Sequence, residues 1–289
     1  MAEQPAQLAH QRRAFILAAV RRDGAVRVAE LVEQLGVSDM TVRRDLDALA
    51  RRGAVEKVYG GAVATGSAAR GEEPDFEAKS GLQEDAKAAI ADAAAALVEP
   101  GSVVAVSAGT TAHAVAARLL AAGVPDLTIV TNSLPVADLV RGAAREPGTG
   151  APTLLLTGGS PTPSAALVGP LADLVIGSLH ADLLVLGAHG VSERAGLTTP
   201  NLAEAQTNRA LVASARRTVV VADHSKWGVV GLSGFAALTE ADWFVTDEAL
   251  PETAREVLAE AVGELVVAPA TTRAAAPAAP VAPAAPSSH

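Results

Sequence analysis

Residues 38–46 read Ser-Asp-Met-Thr-Val-Arg-Arg-Asp-Leu, a run that sets hydroxyl and guanidinium groups within two helical turns of one another. Val42, Leu46 and Leu49 recur at steps of four and three. A helix here therefore turns those side chains inward and presents Met40, Thr41, Arg43, Arg44 and Asp47 outward. Such a helix fits the major groove of DNA with its first residues on base edges, where Arg makes a two-pronged bond to guanine worth about 1–3 kcal/mol of discrimination. Ser38, placed to cap the helix, and Thr41 near its start suit phosphate contacts, as do the free N–H groups of the helix end. Asp39 and Met40 complete the DNA-reading set. Lys57 and Tyr59 follow where a wing would meet the backbone.

A second group of residues suits a different ligand. Ser107-Ala108-Gly109-Thr110-Thr111 lies between an apolar run and a helical stretch, so its N–H groups and hydroxyls converge on one point where the helix dipole favours an anion. Four more apolar runs end in small or polar residues: Thr131-Asn132-Ser133, Thr157-Gly158-Gly159, Gly187-Ala188-His189-Gly190 and Asp223-His224-Ser225-Lys226. In open parallel sheets ligands bind beyond the carboxyl ends of the strands, so these ends predict one pocket with a phosphate cup and a single cation, Lys226. The predicted pocket set is Ser107, Gly109, Thr110, Thr111, Asn132, Gly158, Gly159, Gly187, His189, Gly190, Glu204 and Lys226. His113 reads as a surface or packing residue. The six histidines show no i, i+4 or other ligand-like spacing, so no metal and no cofactor are expected.

The elements that must hold these groups follow from apolar periodicity. Phe15, Ile16, Ala19 and Val20 form one helical stripe stopped by Gly24; Val28, Leu31, Val32 and Leu35 form a second ending at Gly36. The third helix ends at Gly53, and Ala54–Val58, Tyr59, the Gly60-Gly61 turn and Ala62-Val63 read as a hairpin. Three short helices and a hairpin make a winged helix-turn-helix. After a polar linker, a helix over about Leu82–Val98 leads into strands at 103–106, 127–131, 153–157, 182–187, 218–222 and 243–246. Helices near 111–121, 134–144, 170–178, 201–215 and 251–262 separate most of them. Strands apolar on both faces, alternating with helices, predict a doubly wound, mostly parallel α/β domain. The expected division is 8–64 for the reader, 65–80 for the linker, 81–268 for the α/β sensor and 269–289 for a disordered Ala/Pro tail.

Composition narrows the function classes. The 289 residues carry a net charge of −9, but residues 1–66 hold ten basic against eight acidic residues, +2, whereas 67–289 hold thirteen against twenty-four, −11. The cationic part is the predicted reader. With no cysteine, disulfides, thiolate metal sites and thiol catalysis are excluded, and a reducing, cytoplasmic setting is expected. Aromatics make up 2% of a chain that is 49% apolar, so the core should be aliphatic. Mean hydropathy is +0.28, but the longest charge-free run, Pro147 to Ala172, holds five prolines, and Ala14–Val20 is followed at once by Arg21 and Arg22. Neither suits a membrane span or a signal peptide.

Residues 38–46, then Gly53-Ala54-Val55 and Tyr59-Gly60-Gly61-Ala62, resemble the DeoR family of bacterial transcriptional regulators, whose pattern is Ser, two variable residues, Thr, Val or Ile, Arg-Arg-Asp-Leu and a Gly-Gly-Ala wing. Tyr59 stands where the family usually has His. Further on, Ser107–Thr111, Val130–Ser133, Leu167–Leu171, Gly196–Pro200 and Ala222–Lys226 resemble the effector domain of that family, which is similar to the ribose-phosphate isomerase fold. The resemblance covers about residues 11–250. It implies a repressor of carbon-metabolism genes, a double-stranded DNA operator, a small phosphorylated sugar as effector, and a homo-oligomer, dimer or tetramer. It also implies that the Gly-Thr-Thr loop holds the phosphate and that Lys226 supports the anion or a sugar oxygen. Ser107-Ala108 replaces the family's frequent Asp-Ser, and His189 replaces an Asp, so both departures remove negative charge from the pocket.

Two other readings compete. A phosphosugar isomerase fused to a DNA reader needs a carboxylate base, and Gly187–Gly190 contains none. Glu204, the nearby acid, could as easily bond a sugar hydroxyl, so no enzymatic activity is expected. An effector-independent DNA binder would keep the fold and lose the ligand response.

Overall fold

The computed structural model describes residues 9–23, 25–52, 54–58, 61–64, 76–145 and 150–269. The expectations for Gly24, Gly53, Tyr59, Gly60, linker residues 65–75 and the tail from residue 270 lie outside the described residues.

The reader runs α1 (Ala9–Asp23), β1 (Ala25–Arg27), α2 (Val28–Leu35), α3 (Asp39–Arg51), β2 (Val55–Val58) and β3 (Gly61–Ala64). Gly36, at φ +62°, turns the chain out of α2 in a conformation that costs glycine little. Ile16, Val20, Leu31, Val42, Leu46 and Leu49 close the core. Phe15 departs from the expected stripe and is 41% exposed, because the inward face of α1 continues through Arg12 and Arg13 toward α3 and leaves Phe15 on its flank. Strand β1 is too short for periodicity to reveal. It adds a third strand by pairing antiparallel with β3, Ala25 opposite Val63 and Arg27 opposite Gly61.

The second unit begins with α4 (Phe76–Ser80), where a linker was expected, and α5 (Glu84–Ala95). It continues with β4 (Val103–Val106), α6 (Thr110–Ala122), β5 (Thr128–Thr131), α7 (Leu134–Ala143), β6 (Thr153–Leu156), β7 (Ser160–Pro161), β8 (Leu167–Val168) and α8 (Pro170–Gly177). Then come β9 (Leu183–Gly187), β10 (Gly190–Ser192), β11 (Gly196–Thr199), α9 (Leu202–Ser214), β12 (Thr218–Val221), β13 (Ser233–Ala236), β14 (Trp243–Asp247), α10 (Glu252–Ala261) and β15 (Glu264–Ala268). Seven strands form one parallel sheet in the order β15-β14-β12-β9-β4-β5-β6.

Alternate residues feed the two faces. Val104, Val106, Leu183, Val185, Val219 and Val221 pack with Ile90, Val115 and Val136 of α5, α6 and α7. Ala105, Leu184, Leu186 and Val220 pack with Ile176, Leu211 and Leu258 of α8, α9 and α10. Both faces are therefore covered, which is why these strands read as unbroken apolar runs. Three features depart from the expected pattern. The helix expected over about Leu82–Val98 is α5, which begins at Glu84 and leaves Leu82 59% exposed; β15 adds an edge strand; and β10, β11 and β13 form a separate antiparallel sheet beside the main one.

The chain steps from β4 outward to β5 and β6, then returns to place β9 on the other side of β4. The strand order thus reverses between β4 and β9. Their carboxyl ends diverge there, and that is where a crevice opens in such sheets.

Candidate functional site

In the reader, Ser38 caps α3: its Oγ accepts from the Thr41 N–H at 3.3 Å and pairs with the Thr41 hydroxyl at 2.9 Å. Both hydroxyls thus serve the helix start before any phosphate arrives. Arg43 Nε donates to Asp39 Oδ1 at 2.5 Å, an exposed i, i+4 pair worth about 0.3–0.5 kcal/mol, so little energy holds the guanidinium in that pair. Met40 is 62% exposed, and Arg44 also faces outward. Lys57 lies on β2 of the wing, opposite Ala62; the description stops short of its side chain, and Tyr59 lies outside the described residues.

Asp45, outside the predicted DNA-reading set, fastens α3 to the rest of the domain. It is buried and accepts from Arg12 Nε at 2.9 Å and Arg13 Nε at 2.8 Å. Its position between Val42 and Leu49 on the inward stripe was the available signal, since an inward carboxylate needs a cationic partner.

At the reversal point several of the named residues are engaged in joining neighbouring strand ends. Ser107 is buried; its N–H donates to Val185 O at 2.9 Å, and its Oγ accepts from Gly187 N at 2.9 Å, so it joins β4 to β9. Asn132 is likewise buried, with Oδ1 accepting from Ala108 N and Nδ2 donating to Leu167 O, each at 3.1 Å. A Cβ on Gly159 would lie 2.7 Å from Val168 O, and one on Gly190 would lie 2.3 Å from Val229 O. Those two glycines permit close backbone packing. Gly158 has φ +72°, and a Cβ there would lie 3.6 Å from the Leu171 side chain.

Gly109, Thr110 and Thr111 follow β4 and open α6. Gly109 adopts φ +122° and ψ 155°, a region essentially confined to glycine, and a Cβ there would meet nothing within 4 Å. The backbone conformation, not crowding, demands glycine. No side chain caps α6, so its first-turn N–H groups are left available to an anion at that end.

Lys226 ends a 3-10 turn over His224–Lys226, held from both sides. Asp223 Oδ1 accepts from Ser225 N at 3.0 Å and also from the Ser225 hydroxyl. Asp247 accepts from His224 N and pairs with His224 Nδ1, both at 2.7 Å. Burial works to raise the Asp247 carboxyl, but the His224 ring and backbone donors outweigh it and hold it below the usual range. His189, between β9 and β10, is pushed down to about 4 by burial first, then by Lys226 and Lys79, with Glu204 opposing. It is a neutral imidazole at pH 7. Its folded pKa lies below the unfolded value, so the unfolded state binds the extra proton and stability falls as pH drops from about 6.5 to about 4. In an NMR titration the His189 ring should shift near pH 4. A midpoint near 6.5 would contradict this placement.

Glu204 does not stand open to a sugar. Its Oε1 accepts from Thr162 at 2.8 Å and from Ser164, and its Oε2 accepts from Thr199 at 3.1 Å. The carboxylate ties the β7–β8 hairpin to α9 and β11.

Lys226 is not the single cation expected. Lys79 and Lys226 both act on the charge of His189, and both act on buried Lys87. Lys87 shares the inward stripe of α5 with Ile90, Ala91 and Ala94, so the signal was a charge on an apolar face. A hollow of about 220 Å³ lies at the other end of the sheet between Leu97, Ser102, Asp182 and Arg217. It precedes β4, β9 and β12 and touches none of the strand-end loops, so it does not compete with the crevice.

Comparison with known proteins follows the same division. The model of the DeoR-like helix-turn-helix domain matches residues 12–68, and that of the DeoR C terminal sensor domain matches residues 82–248. Over 259 residues the chain is 36% identical to the uncharacterized HTH-type transcriptional regulator YgbI of Escherichia coli, covering 89% of this chain and 97% of that one. Over 260 residues it is 31% identical to the glycerol-3-phosphate regulon repressor of Haemophilus influenzae, covering 90% and 96%. Among solved structures, ribose 5-phosphate isomerase A from Methanocaldococcus jannaschii matches 50% of this chain and 54% of its own at 19% identity, with a TM-score of 0.37.

Proposed function

The chain belongs to the DeoR family of DNA-binding transcriptional regulators, and on that premise we propose that it is a repressor of carbon-metabolism genes, released from its operator by a phosphorylated sugar. The observation that carries the ligand half of this reading is Gly109-Thr110-Thr111 opening α6 at the sheet reversal, with Lys226 on a braced turn after β12 of the same sheet. A phosphate dianion suits N–H groups at a helix start and an adjacent ammonium. Neutral His189 and the half-buried rim suit the sugar. The name of the Haemophilus relative, a glycerol-3-phosphate regulon repressor, supports the same class.

The DNA half assigns base reading to Arg43 and Arg44, with Met40 and Asp39 alongside, and phosphate contacts to Ser38, Thr41 and the wing. The proposed division is a reader over 8–64 and a sensor over 81–268, with α4 standing at their junction. A homo-oligomer, dimer or tetramer, would present paired readers to paired half-sites. Its place of action is the cytoplasm. No described helix is long and apolar enough to cross a membrane.

Enzymatic turnover is not part of the proposal. Glu204 is engaged by three hydroxyls, and Asp223 keeps Oδ2 away from solvent. Isomerisation of a pentose or hexose phosphate, abolished by Glu204→Gln, would overturn that view. The direct test is a gel shift on DNA from upstream of the protein's own gene, titrated with phosphorylated sugars. Release by at least one sugar phosphate, and not by its unphosphorylated form, is expected. Binding indifferent to all of them would favour the effector-independent reading.

A further inference from the structure

Helix α4 (Phe76–Ser80) is the first described element after β3 ends at Ala64, so the chain enters the sensor through it. Two contacts fasten it. At its start Phe76 stands edge-on to His113, ring centroids 5.3 Å apart and planes at 73°. His113 belongs to the first turn of α6, and its N–H donates to Gly109 O at 2.9 Å. The start of α4 therefore leans on the turn that forms the phosphate cup.

At the other end, Lys87 of α5 donates from Nζ to Lys79 O at 2.7 Å and to Ser80 O at 3.4 Å, gripping the last carbonyls of α4. Lys87 is only 5% exposed, and burial penalises its charged form. Two carbonyls offset part of that penalty. Asp223 and, more weakly, Glu84 of α5 favour its charge, while Lys226 and Lys79 of α4 oppose it. Asp223 is itself 2% exposed, and its Oδ2 has no hydrogen-bond partner. Lys87 thus stands between the carbonyl end of α4 and the turn that carries Lys226.

We propose that α4 transmits occupancy of the crevice to the reader, with Lys87 as the fastener that responds to the anion. A dianion seated at the Gly-Thr-Thr cup beside Lys226 cancels the repulsion that Lys226 exerts on Lys87. The ammonium then holds the α4 carbonyls more firmly, and Lys79, already acting on His189, is drawn toward the same charge. Tightening α4, the element through which the chain enters the sensor, biases the arrangement in which paired readers meet DNA. The inference rests on the phosphate reading of the crevice. Lys87 is a positioning residue in it and does not touch the ligand.

Amide hydrogen exchange on the full chain tests this, with inorganic phosphate and glycerol 3-phosphate as probes and sodium chloride at matched ionic strength as control. Protection at residues 107–111 reports occupancy. Exchange over 76–80 should slow about fivefold or more alongside it, the low end of ordinary site-to-site coupling. Lys87→Met should keep protection at 107–111 and keep operator binding, yet lose the response at 76–80 and the release from DNA. Phe76→Ala, which leaves Lys87 in place, should make α4 exchange fast with and without probe. Protection at 107–111 with no change at 76–80 in the parent protein would overturn the coupling and leave the crevice reading standing. Persistence of the coupling in Lys87→Met would overturn the role of Lys87. No protection anywhere with either probe would defeat the crevice reading, and the inference with it.

Discussion

Asp45→Ala is expected to strip the reader of a large share of its stability while the sensor stays as stable as in the parent protein. The Asp45 carboxylate is 2% exposed and accepts from both Arg12 and Arg13, whose side chains keep 14% and 30% exposure. Removing it leaves two guanidinium groups in a site shaped for an ion pair. Breaking a buried pair costs about 3–5 kcal/mol, and the partial water access of both arginines places this change near about 3 kcal/mol. A domain this small has roughly 3–8 kcal/mol in total, at about 0.05–0.15 kcal/mol per residue. The variant therefore loses a large share of it. A thermal melt of the full chain followed by circular dichroism should show an early transition absent from the parent protein, and operator binding should fall with it. Asp45→Asn keeps one acceptor and should fall between the two. An Asp45→Ala protein that melts like its parent would mean that α1 is held to α3 by apolar packing alone.

The same residue illustrates what could be read in advance. The Arg-Arg-Asp-Leu run marks the reading helix, and the four-and-three spacing of Val42, Leu46 and Leu49 predicts its buried face correctly. Spacing alone does not say which cations, some thirty residues earlier, meet Asp45 across the domain. The sensor behaves alike. Leu183–Leu186 and Val219–Val221 read as strands because both faces of the sheet are covered, and the small residues after them mark the crevice. The chemistry of individual side chains was less legible, because their partners come from distant segments. Thr162 and Ser164 reach Glu204 from about forty positions away and convert an expected sugar contact into a brace. Ser107 and Asn132 look like ligand groups in their loops, yet the neighbouring strand ends occupy them. Short elements such as α4, β1 and the β10–β11–β13 sheet carry too few residues for a period, so only packing reveals them.

Lys226→Met and Arg44→Ala should separate ligand response from DNA binding. Lys226 stands on a turn braced by Asp223 and by the His224–Asp247 pair, so removing its charge should leave the backbone of the turn in place. A hydrogen bond to a charged group is worth about 1.5–3 kcal/mol, which corresponds to roughly 10–150-fold weaker binding of a phosphorylated sugar. Operator binding without ligand should stay within about twofold of the parent. Arg44 lies outward on α3, far in sequence from every strand-end loop, and a bidentate guanine contact is worth about 1–3 kcal/mol per half-site. Its loss should weaken operator binding at least tenfold while the ligand-induced rise in sensor melting temperature persists. Arg43→Ala should cost less, since releasing the Asp39 pair offsets part of what Arg43 gives to DNA. The salt dependence should also flatten in the Arg44 variant if it meets a phosphate instead of a base, because each lost phosphate contact lowers the slope by about one. If Lys226→Met is still released by the same sugar phosphate at the same concentration, the anion is held without that lysine, and the crevice must be rebuilt around Lys79 and the Gly-Thr-Thr loop.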